Sequence, residues 1–235
     1  MHESPALNGI SEYGLTVAAR DDGALDALII LIPPLFDEAN RLRRTLVLTA
    51  RALAALGHDS WMPDLPGQND SLLPTEAVSL ATWRDAMAHI VAQAQKPVIL
   101  ASWRGGALID SDANVAGRWR MAPISGASVL RTLLRARIAG EREAGRDLTL
   151  DQLAELARAQ VTELAGNRLS PTMVRELEQA VVADQGRLRT VQVGTAAGAI
   201  AGTPLWLRAE PGEDRAMADA MAADISVWSQ SCVAG

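Results

Sequence analysis

The chain has 235 residues, 49% of them hydrophobic and 21% charged, enough apolar material for one well-buried core and outside the composition of disordered or fibrous chains. A formal net charge of -6 argues against non-specific binding to nucleic acid or anionic lipid, because both repel a net acidic protein. No uninterrupted apolar run approaches the roughly 20 residues of a membrane span, so neither nucleic acid nor a bilayer is expected as a partner.

In chain order, the opening residues MHESPALNGISEYG have neither a basic start nor an apolar stretch of the signal-peptide kind, and a cytoplasmic protein is expected. Ala27 to Ile32 is a continuous apolar run stopped by Pro33-Pro34, which reads as a buried central strand. From Asn40 to Leu56, Leu42, Leu46, Leu48, Leu53 and Leu56 fall near helical spacing, and Gly57 supplies a stop. His58 to Met62 reads as a short strand ending at Pro63, before the turn Asp64-Leu65-Pro66-Gly67. Ala81 to Gln95 predicts a helix, Pro97 to Ser102 a second buried strand, Gly105 onward another helix, and Arg118 to Pro123 a further strand.

Strands alternating with helices imply right-handed crossovers and a mostly parallel sheet with helices on both faces. Between Ser125 and Ala183 the pattern becomes helix after helix with no strand. That stretch reads as an inserted helical cap over the carboxyl edge of the sheet, with helices that merely cover core as the alternative. The division expected is a core of residues 1–124 and 184–235 and a cap of 125–183. The sheet is expected to resume at Leu188 to Val193 and Pro204 to Arg208, before a last helix from Asp214 to Ile225. Cys232 is the only cysteine, so neither an internal disulfide nor a cysteine metal cluster can form; no metal or other cofactor is implied.

The segment PVILASWRGGALI combines a buried strand, a small-residue turn and an expected helix start, the setting of the nucleophile elbow in α/β hydrolases. Small residues are needed there because a strained turn brings backbone and helix into close approach. With Ser102 and Gly106 as the small positions, Arg104 stands at the nucleophile point; with Ala101 and Gly105, Trp103 does. Neither forms an acyl-enzyme, since guanidinium stays protonated and indole offers only a donor N–H. Ser102 itself would need small neighbours at positions 100 and 104, which are Leu100 and Arg104; its other reading is a small residue closing the strand.

The remaining triad is missing as well. Chain order in this fold is nucleophile, acid, histidine, yet His2, His58 and His89 all precede the elbow. After Val193, where the acid belongs, the chain reads GTAAGAIAG, and after Arg208, where the base belongs, it reads AEPGED. A base could only be Glu210, Glu213 or Asp214, poor substitutes for imidazole at neutral pH unless their pKa is raised.

These residues resemble the exosortase-A-system-associated hydrolases of the second type, α/β hydrolases, over most of the chain. A family stretch PPF-x-EE-x-N-x-x-RR is matched by Pro33-Pro34-Leu35-Phe36-Asp37-Glu38-Ala39-Asn40-Arg41-Leu42-Arg43-Arg44. A DLPG-x-x-DS turn is matched from Asp64 to Ser71, and an elbow G-L-R-L-G-A-L lies on Ser102 to Leu108. A P-V-x-x-G segment is echoed by Pro123-Ile124-Ser125-Gly126, and G-x-x-L-S-P by Gly166 to Pro171. Leu35, Asp37 and Ser102 depart from the pattern. The resemblance implies an α/β-hydrolase fold with Arg104 at the nucleophile point; the hydrolase label it carries comes from fold and is not evidence of hydrolysis.

The stretch after the third strand of such a fold normally faces the elbow, so Glu38, Asn40, Arg43 and Arg44 are expected beside Trp103 and Arg104 as a binding cluster. Arg104 at a helix start could hold a carboxylate or phosphate, or pair with Glu38 and fix the loop. Two functions follow from different classes. One is a degenerate hydrolase fold that binds a small anionic or acyl ligand, or a protein partner, under the cap, with a homo-oligomer left open; the other is an atypical esterase or thioesterase using Ser102 and Glu210.

Overall fold

The computed structural model describes residues 4–7, 10–20, 26–69 and 71–233. His2 and Asp70, which figure in the reading above, lie outside the described residues, as does part of the opening segment. Strands β1 (Ser4–Leu7) and β2 (Ile10–Glu12) form an antiparallel hairpin. There follow β3 (Gly14–Val17), β4 (Leu28–Ile32), α1 (Asp37–Ala55), β5 (Asp59–Pro63), α2 (Leu80–Ala92), β6 (Val98–Trp103) and β7 (Gly117–Met121). Then come α3 (Gly126–Glu143), α4 (Leu150–Ala159), β8 (Thr162–Leu164), β9 (Asn167–Leu169), α5 (Pro171–Gln179), β10 (Leu188–Val191) and α6 (Arg215–Val233).

Six strands form the main sheet in the order β10-β7-β6-β4-β5-β3, with every neighbouring pair parallel except β3 against β5. The two apolar runs read from sequence, β4 and β6, pair at the middle, where a strand covered on both faces needs no polar side. Alternation then sorts their residues. Ile30, Ile32 and Leu100 join one core with α2, α3, α4 and α5, whereas Ile29, Leu31, Ile99, Ala101 and Trp103 join the other with α1 and α6. Most helices start on a side-chain cap: Ser79 with Thr82 and Thr149 with Gln152 make capping boxes at α2 and α4, and Ser125 and Ser170 cap α3 and α5. At α6 the Asp214 carboxylate accepts from the Met217 N–H at 2.9 Å.

Four expectations need correction. No helix follows the elbow; Arg104–Leu108 is a single 3₁₀ turn leading into irregular chain. The segment 125–183 is not purely helical, because the hairpin β8–β9 interrupts it. Ala165 (φ 50) and Gly166 (φ 80) both adopt left-handed backbone, the two-residue turn that matches strand twist. Pro204 to Arg208 is not a strand but a 3₁₀ turn at Leu205–Leu207. Leu205 and Trp206 are both buried while Leu207 is 73% exposed, and a strand would have put Leu205 and Leu207 on the same face. Finally, α6 runs two turns beyond Ile225, and Arg187 donates to the Ser231 and Cys232 carbonyls at its end.

His58, just after α1, is fully buried; its Nε2 meets Ser226 Oγ of α6 at 2.8 Å, and Nδ1 has no hydrogen-bond partner. Burial holds its pKa below the ordinary histidine value, against a smaller opposing pull from Asp59. The unfolded chain therefore takes up the proton first, so this contribution to stability is complete above about pH 6.5 and is lost as pH falls below it. Chemical denaturation between pH 7.5 and 4.5 should show stability falling by up to about 1.4 kcal/mol per pH unit below that point. A His58→Asn variant should lack this component of the slope.

Candidate functional site

Arg104 follows β6 directly and has φ 55, left-handed backbone that a long side chain adopts only when its surroundings impose it. The imposing contacts are close. A Cβ on Gly106 would lie 2.8 Å from the Ile32 carbonyl oxygen and nearer still to that of Pro33, and one on Gly105 would lie 2.8 Å from a Val129 methyl. The turn is thus tight in the register with Ser102 and Gly106 as small residues and Arg104 at its apex, whereas Trp103 is extended.

The guanidinium is already engaged. Its Nε and Nη2 donate to the two carboxylate oxygens of Glu38 at 3.1 and 3.2 Å, a bidentate fork, and Nη1 reaches the Ala122 carbonyl at 3.4 Å. Trp206 lies against it, with the ring centroid 4.8 Å from Cζ. Only 15% of the Arg104 side chain and 12% of that of Glu38 is exposed. Beside the pair is a slot of about 40 Å3 between α1 and α3, lined by Glu38, Arg41, Val129 and Leu133, room for little more than a water molecule.

Ser102 is fully buried on the opposite side of β6 from Trp103. Its Oγ donates to Asp110 Oδ2 at 2.8 Å, and the Asp110 carboxylate also accepts from Arg120 Nε at 2.9 Å and Nη2 at 2.6 Å. Arg118, two residues earlier on β7, donates to the carbonyls of Asp110, Ser111 and Ala113. Burial pushes its pKa down from the ordinary value, with Asp110 opposing. These carbonyls are the acceptors a helix after the elbow would spend on its own N–H groups. Two arginines on the inward face of β7 therefore replace that helix with pinned coil.

Of the expected cluster, only Glu38 reaches Arg104. Asn40 is exposed at a neighbouring cleft, Arg43 is exposed, and Arg44 pairs with Glu213 at 2.6 Å on the surface. Trp103 is not a ligand platform: it is fully buried, donates Nε1 to Met221 Sδ at 3.2 Å, and packs on Trp119. Glu210 is exposed on a loop and Asp214 caps α6, while His58 and His89 belong to α1's end and α2. Sequence reasoning read Trp206 as core but missed its contact with Arg104, and it missed the Asp110–Arg120 pair. The signal for the latter was present, as two arginines alternating with Trp119 in an expected strand.

The cleft lies off the elbow. It measures about 380 Å3 and is enclosed by the β4–α1 junction, the turn after β5 and the β8–β9 turn, with Pro33, Pro34 and Phe36 on one side and Asn40, Asn69 and Asn167 among its polar residues. Trp83 backs it, its indole N–H donating to the Pro66 carbonyl at 2.8 Å. Among the described residues no group of three or more His, Cys, Asp or Glu could hold a metal ion, and no helix is long and apolar enough to cross a membrane.

No family model matches the chain, and no curated protein matches it in sequence. Solved structures do. Est1E from Butyrivibrio proteoclasticus with bound ferulic acid aligns with TM-score 0.60 and 16% identity over 83% of this chain and 78% of that one. The alpha/beta hydrolase domain-containing protein 10 from mouse gives 0.59 and 13% over 98% of both chains. An alpha/beta hydrolase from Sphaerobacter thermophilus gives 0.53 and 12% over 97% of this chain and 99% of that one. At such identities the likeness establishes the fold alone.

Removing one partner of the Arg104–Glu38 fork leaves a largely buried charge unmatched. Arg104→Ala should lower unfolding free energy by about 3 kcal/mol. Glu38→Gln with Arg104→Met should recover much of that, since neither remaining group needs a counter-ion. Urea denaturation of the native protein, Glu38→Gln, Arg104→Met and the double variant measures the coupling, and additive losses would mean that the fork contributes nothing.

Proposed function

We propose that this chain, which has the α/β-hydrolase fold, is a binding protein built on that fold and not a serine hydrolase, and that residues 125–183 act as its cap. The observation that carries the reading is the arginine at the apex of the elbow, forked by Glu38 and covered by Trp206, where acyl transfer requires an activated nucleophile. Ser102 does not restore one. Its hydroxyl is buried and directed to a carboxylate that Arg120 neutralises, and no histidine among the described residues pairs with it.

Support for binding comes from the cleft. Three of the segments that carry the resemblance to exosortase-A-system-associated hydrolases meet there: Pro33 to Asn40 from the first, Gly67 to Asn69 from the second, and Gly166-Asn167 from the third. An anion on Arg104 is the weaker version of the reading, because it must displace Glu38 from a fork in which both side chains are largely buried.

A fluorophosphonate probe should leave the folded protein unlabelled. Hydrolysis of short-chain nitrophenyl esters should be no faster than with Arg104→Ala or heat-inactivated protein. Ester turnover lost specifically in Ser102→Ala would overturn the proposal; otherwise that substitution should cost about 1.5–3 kcal/mol of stability, as loss of one donor to a buried carboxylate.

A further inference from the structure

Resting on the binding reading, we propose that the cleft takes a neutral, hydroxyl-rich molecule of the sugar class. The argument is one of charge and hydrogen-bonding inventory. Among the described residues lining the cleft there is no lysine, arginine or histidine, and the single carboxylate, Asp37, is paired with Arg41. Arg41 is itself committed on both sides, since its Nη1 donates to the Trp206 carbonyl at 2.8 Å. An anion entering here finds no uncommitted cation, and a cation finds only a carboxylate already neutralised.

What the cleft does offer is a set of neutral groups that both donate and accept: Asn40, Gln68, Asn69, Asn167 and Thr75. They are only partly used within the protein. Asn167 spends one N–H on the Ala165 carbonyl at 3.0 Å, Asn69 spends one on Asp64, Gln68 spends one on the Gly67 carbonyl at 3.4 Å, and Thr75 donates to that same carbonyl at 2.7 Å, which leaves the amide oxygens and second N–H groups of these residues unspent. Hydroxyl groups are the ligand chemistry that matches such a lining, because each is donor and acceptor at once and adjacent hydroxyls can meet both ends of one amide. These amides stand on three segments distant in sequence, so a ligand with several hydroxyls bridges the start of α1, the turn after β5 and the β8–β9 turn.

The test is NMR titration of the whole protein, following the side-chain amide signals of Asn40, Gln68, Asn69 and Asn167. Methyl glucoside and N-acetylglucosamine are compared with sodium acetate, inorganic phosphate and butylammonium. Saturable shifts of these signals with at least one sugar are expected, at a Kd of about 1–10 mM for a small probe. The affinity should weaken by about tenfold in Asn40→Ala and in Asn69→Gly. Both variants should fold: Asn40 is exposed, and glycine accommodates the φ of 49 at position 69 without strain. Saturable binding of phosphate or acetate alone, or of butylammonium alone, overturns the proposal in favour of a charged ligand. No saturable response to either sugar also overturns it, while leaving the non-catalytic reading standing if the fluorophosphonate result is negative. Serine labelling with ester turnover removes that reading instead, whatever the sugars do.

Discussion

The carboxylate of Asp110 is the point on which the arrangement around the elbow depends. A fully buried carboxylate must be matched in charge and saturated with donors, or the cost of removing it from water is not met. Here Arg120 supplies the charge and two donors, and Ser102 a third. The three residues come from β6, from the coil after the elbow and from β7, so satisfying one carboxylate locks three segments at fixed spacing. Arg118 extends the lock by taking up carbonyls of the same coil. A helix in that position would need those carbonyls back and would leave Arg118 without these acceptors. The same network consumes the one serine that the elbow offers, so the chemistry of the site and the path of the chain are decided together.

On the far side of the elbow a second pairing compensates for strain. Phe36 at φ 57 and Arg104 at φ 55 are both non-glycine residues in left-handed backbone, and α1 begins immediately after Phe36 without a side-chain cap. Such conformations cost on the order of 1–3 kcal/mol each and persist only where neighbours impose them. Glu38, two residues into α1, reaches Arg104 with both oxygens and so ties the two strained turns to each other. The start of α1 is thereby held where it forms one wall of the cleft.

Much of this was legible in the residues themselves. Buried parallel strands require continuous apolar runs, so 27–32 and 97–102 announced the centre of the sheet, and the small positions around Arg104 announced the turn. The absence of a histidine after the elbow could be read directly. What failed was non-local. Gly105-Gly106-Ala107-Leu108-Ile109 looks like a helix start until, from the next strand, Arg118 claims the backbone beyond it and Arg120 the Asp110 carboxylate. Strands of three residues, as in β8 and β9, are too short to show alternation above noise. Arg43 and Arg44 share a motif with Glu38, but five and six residues along a helix turn them about 140° and 120° away from it. Trp206 reads as a core tryptophan, which it is, but its contact with Arg104 was not legible, because an apolar triplet after a proline reads equally as strand or turn, and only the burial of two successive side chains separates the two.

The order in which the chain leaves the ribosome gives the packing of α6 against α1 a further meaning. One face of the sheet, with Trp103, Trp119 and Met121, is closed by the earliest long helix and by the last. Synthesis must therefore run through α6 before that face can be covered, and until then the apolar side of α1, with Leu42, Leu46 and Leu53, lacks its helical partner. The opposite face has no such delay, since α5, the last of its helices, ends at Gln179, well before α6 begins at Arg215. Folding during translation is accordingly one-sided, and stop codons or proteolytic nicks within α6 yield a half-covered sheet whose exposed tryptophan face favours association with other chains.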